Sequence, residues 1–269
     1  MRKPKNIWWP FGMSVVALLL ALTALGRKNI TAVQPLDLST TGAESVPELR
    51  NKEHELMLYN FRAVEPGKLY RSSGFPRNRK VVEKGETKKR SAAFADRQLF
   101  DFLRAKKIHT VVNMQEIDYF YAEQGYFDWW AKRTGYKIKV VALTVKNGRA
   151  YESTFSGGVR ASAKFLNIMK DQKPSDGAVL VHCDAGKDRT GVAVAAYELW
   201  RNAGKTDSEV LWQQVRKRYL ASNEMIGQDK EAGEWAGGKQ DCGPGEPRGY
   251  VCGSWLDKVR KDLEVVAQL

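Results

Sequence analysis

At 269 residues and 30.4 kDa the chain has room for one ordinary domain with a tail, and too little for two large ones. Apolar residues at 43%, with 8 Trp, 10 Tyr and 10 Phe, supply a sizeable core and exclude a globally disordered chain. A net charge of +13 points to anionic partners or surroundings, among them nucleic acid, an anionic membrane surface and phosphorylated substrates. Three cysteines are too few for a disulfide scaffold, and with only three histidines they fit no zinc spacing.

Arg2, Lys3 and Lys5 precede an uncharged apolar run from Ile7 to Leu25, which ends at Gly26-Arg27-Lys28. This pattern reads as an export or anchoring signal over residues 1–28, either cleaved near Ala24-Leu25-Gly26 or retained as an inner-membrane anchor. The stretch after Pro10 is short of the roughly 20 residues of a span, and Ile7, Trp8 and Trp9 bring it close. The remainder is expected outside the cytoplasm, periplasmic or extracytoplasmic, so nucleic acid is not an expected partner. Its charge is still +8, because residues 1–28 hold five basic and no acidic residues. Cys242 and Cys252 bracket a Gly- and Pro-rich stretch of nine residues and, in an exported chain, read as a disulfide closing a short loop. Cys183 is then the odd thiol, which in an oxidising compartment calls for a chemical reason.

Residues 29–58 read as a polar linker, and the domain is expected over 59–269. Phe61 to Tyr70 reads as two short strands around a Pro66-Gly67 turn. Arg77 to Ala93, with seven basic and two acidic residues, reads as a loop. Asp96 to Lys106 is a helix by its apolar face, and Ile108 to Met114 a strand. A helix over Tyr121 to Arg133 stops at Thr134-Gly135, and Tyr136 to Val145 forms a strand. A helix from Thr154 to Lys170 leads through a Pro174 to Gly177 turn into a strand, Ala178 to Val181. Helices are expected over Val192 to Trp200, Asp207 to Leu220 and Trp255 to Leu269. Such alternation predicts an α/β fold, a mostly parallel central sheet flanked by helices on both faces.

The chemistry concentrates in His182-Cys183-Asp184-Ala185-Gly186-Lys187-Asp188-Arg189-Thr190-Gly191. An apolar strand delivers Cys183 to its C-terminal end, where open α/β sheets place ligands, and a helix begins a few residues on. Between them successive backbone N–H groups can curl around an anion, Gly186 permits the necessary dihedrals, and the helix N-terminus adds partial positive charge. The same field, reinforced by Lys187 and Arg189, favours thiolate at Cys183. Arg189 has the planar fork to hold two phosphoryl oxygens, and the Thr190 hydroxyl can assist the departing sulfur. A buried structural cysteine is the alternative for Cys183 taken alone.

Cys, five residues, Arg and Thr, extended by His182 and Gly186, resembles the cysteine-dependent tyrosine and dual-specificity phosphatase superfamily, in particular a bacterial branch of the dual-specificity type. Asn60-Phe61-Arg62 through Leu69-Tyr70-Arg71-Ser72, and the strand ending Val112-Asn113-Met114, resemble the same branch. The likeness implies a phosphate-monoester hydrolase that works through a cysteinyl-phosphate and needs no cofactor. It also implies an Asp on a separate loop as general acid, here expected within Lys146 to Ser153, where Glu152 is the sole carboxylate. Asp188, which the Lys-Asp-Arg branch uses as acid, is the stronger candidate, and bracing of the loop is its bland alternative. Lys187 either meets a second anionic group, as in phosphoinositide-directed members, or simply tunes Cys183. Three readings stand: a protein phosphatase, a phosphoinositide or inositol phosphate phosphatase, and a membrane-tethered anion-binding module without turnover.

Overall fold

A continuous apolar strand flanked by turn residues belongs in the middle of a parallel sheet, buried on both faces. That is the place of Ala178–His182, the sixth strand (β6), in which every residue is buried. In the computed structural model the sheet has six strands: β1 (Val46–Arg50), β2 (Leu56–Glu65), β3 (Leu69–Ser72), β4 (Ile108–Asn113), β5 (Lys139–Ala142) and β6, in the order β1-β2-β3-β6-β4-β5. β6 pairs in parallel with β3 and with β4, and β4 in parallel with β5, while β1, β2 and β3 form an antiparallel meander. The fold is α/β with a mostly parallel sheet. Residues 36–38, 46–50, 56–75, 97–145 and 151–268 are described, with side chains omitted for 46–49, 56 and 151–156, and all lie in the unit Pro35–Leu269. The export segment and the basic stretch 77–93 lie outside these residues. Among the described residues no helix is long and apolar enough to cross a membrane.

Helices cover both faces. On one, α1 (Arg97–Ala105) and α2 (Ile117–Thr134) bury Phe100, Leu103, Tyr126 and Phe127 against Leu180, Val111 and Tyr70. On the other, α3 (Tyr151–Asp171) and α4 (Asp188–Asn202) bury Phe165, Leu166 and Val192 against Val179, Val181 and Val112. Adjacent strand residues therefore serve opposite cores, as the period of two requires. α4 is buried around nearly its whole circumference, because α5 (Ser208–Gly227) and the C-terminal α8 (Arg260–Gln268) close it from outside. Two further short helices are α6 (Lys230–Trp235) and α7 (Gly253–Lys258).

Several boundaries differ from expectation: α5 runs on to Gly227, past Leu220, α3 starts at Tyr151 rather than Thr154, and β5 is confined to Lys139–Ala142. β1 and the start of β2 fall inside the segment read as linker. β1 is an edge strand carrying Pro47, Glu48 and Arg50 among five residues, so it has little apolar pattern to betray it. It is anchored by Arg50, which pairs with Asp229 and with Glu231 (2.8 Å) at the start of α6. The C-terminal helix is broken at Val259 into α7 and α8. α2 begins at Ile117, four residues ahead of the expected Tyr121.

Candidate active site

β6 ends at His182, and Cys183 follows, 2% exposed, as the one free cysteine. Asp184 to Lys187 form the loop, and α4 starts at Asp188. The amide groups of Ala185, Gly186 and Lys187 have no acceptor among the described residues, although all three residues are buried. Buried amides are almost always paired, so three unpaired in succession beside a helix N-terminus constitute an anion cradle.

The cradle's shape rests on Gly186. Its φ is +64°, and a Cβ there would stand 2.1 Å from the Ser72 carbonyl oxygen, so only glycine lets β3 and the loop approach this closely. The Gly186 carbonyl accepts from Asn60 Nδ2 (2.9 Å) and Arg71 Nη2 (2.6 Å). The Gly74 amide donates to the Asp184 carbonyl (2.8 Å), and Gln115 Nε2 lies 3.4 Å from the exposed Asp184 carboxylate. Gly191, one turn into α4, lies under the ring of buried Tyr219, 2.4 Å from where a Cβ would be.

Arg189 is 5% exposed, and its Nη1 donates to the Met114 and Val145 carbonyls, both at 3.2 Å. These carbonyls follow β4 and β5, so three strand ends converge on the fork. Among the described residues nothing takes its Nε or Nη2, which leaves one edge for a ligand. Asp188 has its pKa raised, chiefly by burial, with Lys187 and Arg189 opposing the shift. Its Oδ1 has no hydrogen-bond partner among the described residues. A carboxyl held toward its protonated form beside an anion cradle is equipped to give up a proton.

Four further placements bear on the sequence reading. Lys187 is 6% exposed, and its ammonium gives one of its three N–H groups to the Tyr250 carbonyl (3.0 Å) and lies 4.0 Å from Asp188, so it is turned into the fold. Thr190 Oγ1 is buried without a hydrogen-bond partner among the described residues, so no bond to the Cys183 sulfur is made in this conformation. Glu152 lies in the first turn of α3, and its side chain is outside the described residues. Cys242 and Cys252 form a disulfide with Cα atoms 5.2 Å apart, and the loop it closes carries Tyr250.

His182 has a partner that sequence reasoning missed. Its Nδ1 donates to the Cys183 carbonyl (3.2 Å), and its Nε2 meets Glu123 Oε2 (3.1 Å), which also accepts from Asn113 Nδ2 (2.7 Å). Glu123 is buried on α2 in a stripe with Tyr126, Phe127 and Trp130. A carboxylate at an apolar-stripe position was the available signal. Asn60, Arg71 and Tyr250 were likewise unassigned, Asn60, Arg62 and Arg71 entering only as part of the hairpin that resembles the family.

A family model described as "Tyrosine phosphatase family" matches residues 54–241, well over half the chain. The chain belongs to this family. It is a cysteine-based phosphatase with a hydrolase fold carrying the Cys183 loop. Solved structures similar to it include the Siw14 catalytic core, at 18% identity and TM-score 0.36, covering 72% of this phosphatase and 94% of that chain. P. aeruginosa TpbA is similar at 18% identity and TM-score 0.32, covering 65% of this chain and 88% of that one. TpbA in complex with pTyr matches at 18% identity and TM-score 0.32, over 60% and 74%. No curated protein sequence matches it.

Proposed function

We propose that the phosphatase hydrolyses phosphotyrosine or similar protein phosphomonoesters through a phosphocysteine at Cys183. The observation that carries this reading is the row of unpaired amides at Ala185, Gly186 and Lys187 between the thiol and the Arg189 fork. The Cys183 sulfur attacks phosphorus as the ester oxygen leaves, and Asp188 gives that oxygen its proton. Water then attacks the phosphocysteine and returns a proton to Asp188, and sulfur leaves as thiolate. Arg189 and the amides hold the equatorial oxygens throughout, where charge develops.

Phosphoinositides are the less favoured substrate, because Lys187, the residue that would meet a second phosphate, is buried with its ammonium turned to the Tyr250 carbonyl. The disulfide supports work in an oxidising compartment, outside the cytoplasm, with the N-terminal segment as signal or anchor. Phosphate release from phosphotyrosine peptide, phosphoserine peptide, phosphoinositides and inositol hexakisphosphate tests the assignment, with Cys183→Ser as control. Fastest turnover of phosphotyrosine peptide, lost in Cys183→Ser, is the expected result. Preference for an inositol lipid would replace it with the second reading, and anion binding without turnover would leave a binding module.

A further inference from the structure

Arg62 and Arg71 face each other across the β2–β3 pairing and are 3% and 1% exposed. Among the described residues neither is bonded to a carboxylate. Arg62 donates to Asn60 Oδ1, the Arg218 carbonyl (3.2 Å) and Ser222 Oγ (3.1 Å). Arg71 Nη2 donates to the Gly186 carbonyl (2.6 Å) and Ser222 Oγ (3.3 Å), and its Nε has no hydrogen-bond partner among the described residues. The buried carboxylate near both, Glu198, is bonded by Arg218 Nε at 2.6 Å. Burial lowers the Arg71 pKa to about 10, so it remains charged at neutral pH.

A buried guanidinium whose own hydrogen-bond partners are all neutral, with Glu198 as its nearest carboxylate already held by Arg218, gains when further negative charge arrives. The Cys183 loop lies directly above. The peptide plane fixes what Arg71 does there: with the Gly186 carbonyl pinned from below, the Lys187 N–H must point to the opposite side, into the cradle.

We propose that Arg71 is a positioning residue for catalysis, clamping the Gly186 carbonyl beneath the loop and supplying a buried positive charge whose counter-ions are the Cys183 thiolate and the bound phosphate. The inference rests on Cys183 being the nucleophile, and it adds a role that the loop's own residues do not fill. Arg62 acts one step further back, through Asn60, which also holds the Gly186 carbonyl.

The test is the pH profile of iodoacetamide alkylation in the full chain, together with inhibition by inorganic phosphate. Cys183 is the one free thiol, so alkylation reports on it alone. The charged and titratable groups that bear on Arg71 and its loop are Arg62, His182, Cys183, Asp184, Lys187, Asp188, Arg189, Glu198, Arg218 and Tyr219, and all are kept in the variants. Arg71→Met is expected to slow alkylation at pH 6 by about tenfold or more, moving the profile upward, and to weaken phosphate inhibition by a similar factor. Arg71→Lys, which keeps the charge but not the fork, is expected to keep the wild-type alkylation profile. A folded Arg71→Met with wild-type alkylation and phosphate inhibition would overturn the proposal. So would Arg71→Lys moving the profile as far as methionine does. Should the methionine variant not fold, the lysine variant decides alone, a wild-type profile supporting the role of charge and a shifted one refuting it. A wild-type thiol that is unreactive at pH 6 and indifferent to phosphate would instead remove the nucleophile reading itself.

Discussion

Asp188 and Arg189 are neighbours in the chain with opposite proposed tasks, and their surroundings separate them. Arg189 is fixed by two backbone carbonyls, whereas Asp188 keeps a buried oxygen without a partner and a raised pKa. As pH rises through that raised value the acid loses its proton, so the basic limb of the pH profile for alkyl phosphates belongs to Asp188. Asp188→Asn should remove that limb and slow alkyl ester hydrolysis by about 10²–10⁴, with a much smaller loss on aryl phosphates, whose leaving groups need no proton. Equal losses on both would assign Asp188 to bracing the loop. Because the folded-state value lies above the unfolded one, Asp188 favours folding at low pH, and that contribution is lost as pH rises. Asp188→Asn should therefore melt at a higher temperature than wild type near neutral pH. Glu123 presents the reverse case: Glu123→Leu strands the buried His182 Nε2 and Asn113 Nδ2, and should lower stability by about 1–3 kcal/mol in urea melts.

At the scale of elements, the loop is held from three directions. β3 touches it through Gly186, α5 closes over it through Tyr219 on Gly191, and the disulfide loop reaches it through Tyr250 and Lys187. Gly186→Ala combines a left-handed φ with a collision against β3 backbone, so the loop must shift. Loss of about 1–3 kcal/mol of stability and nearly all activity is expected, measured by thermal melting and phosphate release. Reduction of Cys242–Cys252 should lower stability by about 2–3 kcal/mol on the chain-entropy account, read as a melting shift with and without reductant. Asn223 clamps both the N–H and the carbonyl of Val251 at 2.9 Å, so the reduced chain should keep part of its activity.

Across the whole molecule, legibility followed burial and periodicity. β6 and β4, apolar and central, could be read from the text, as could the hairpin at Pro66-Gly67, where Lys68 N–H closes the turn on the Glu65 carbonyl (3.0 Å). β1 and α6 could not, since the one is a polar edge strand and the other a six-residue helix held by tertiary contacts. At the site, residues close in sequence to Cys183 were legible because the loop is one local motif. Glu123, Asn60, Arg71 and Tyr250 were not, because they reach it from α2, β2, β3 and the disulfide loop, and sequence separation hides such meetings.

The most direct test of the account is acid quench of the phosphatase during turnover of a phosphotyrosine peptide, followed by peptide mass analysis. The account predicts one phosphoryl group on the peptide containing Cys183, absent from Cys183→Ser and accumulating further in Asp188→Asn when the substrate is an aryl phosphate. Turnover with no phosphoryl group on Cys183 at any quench time, or turnover that survives in Cys183→Ser, would contradict it.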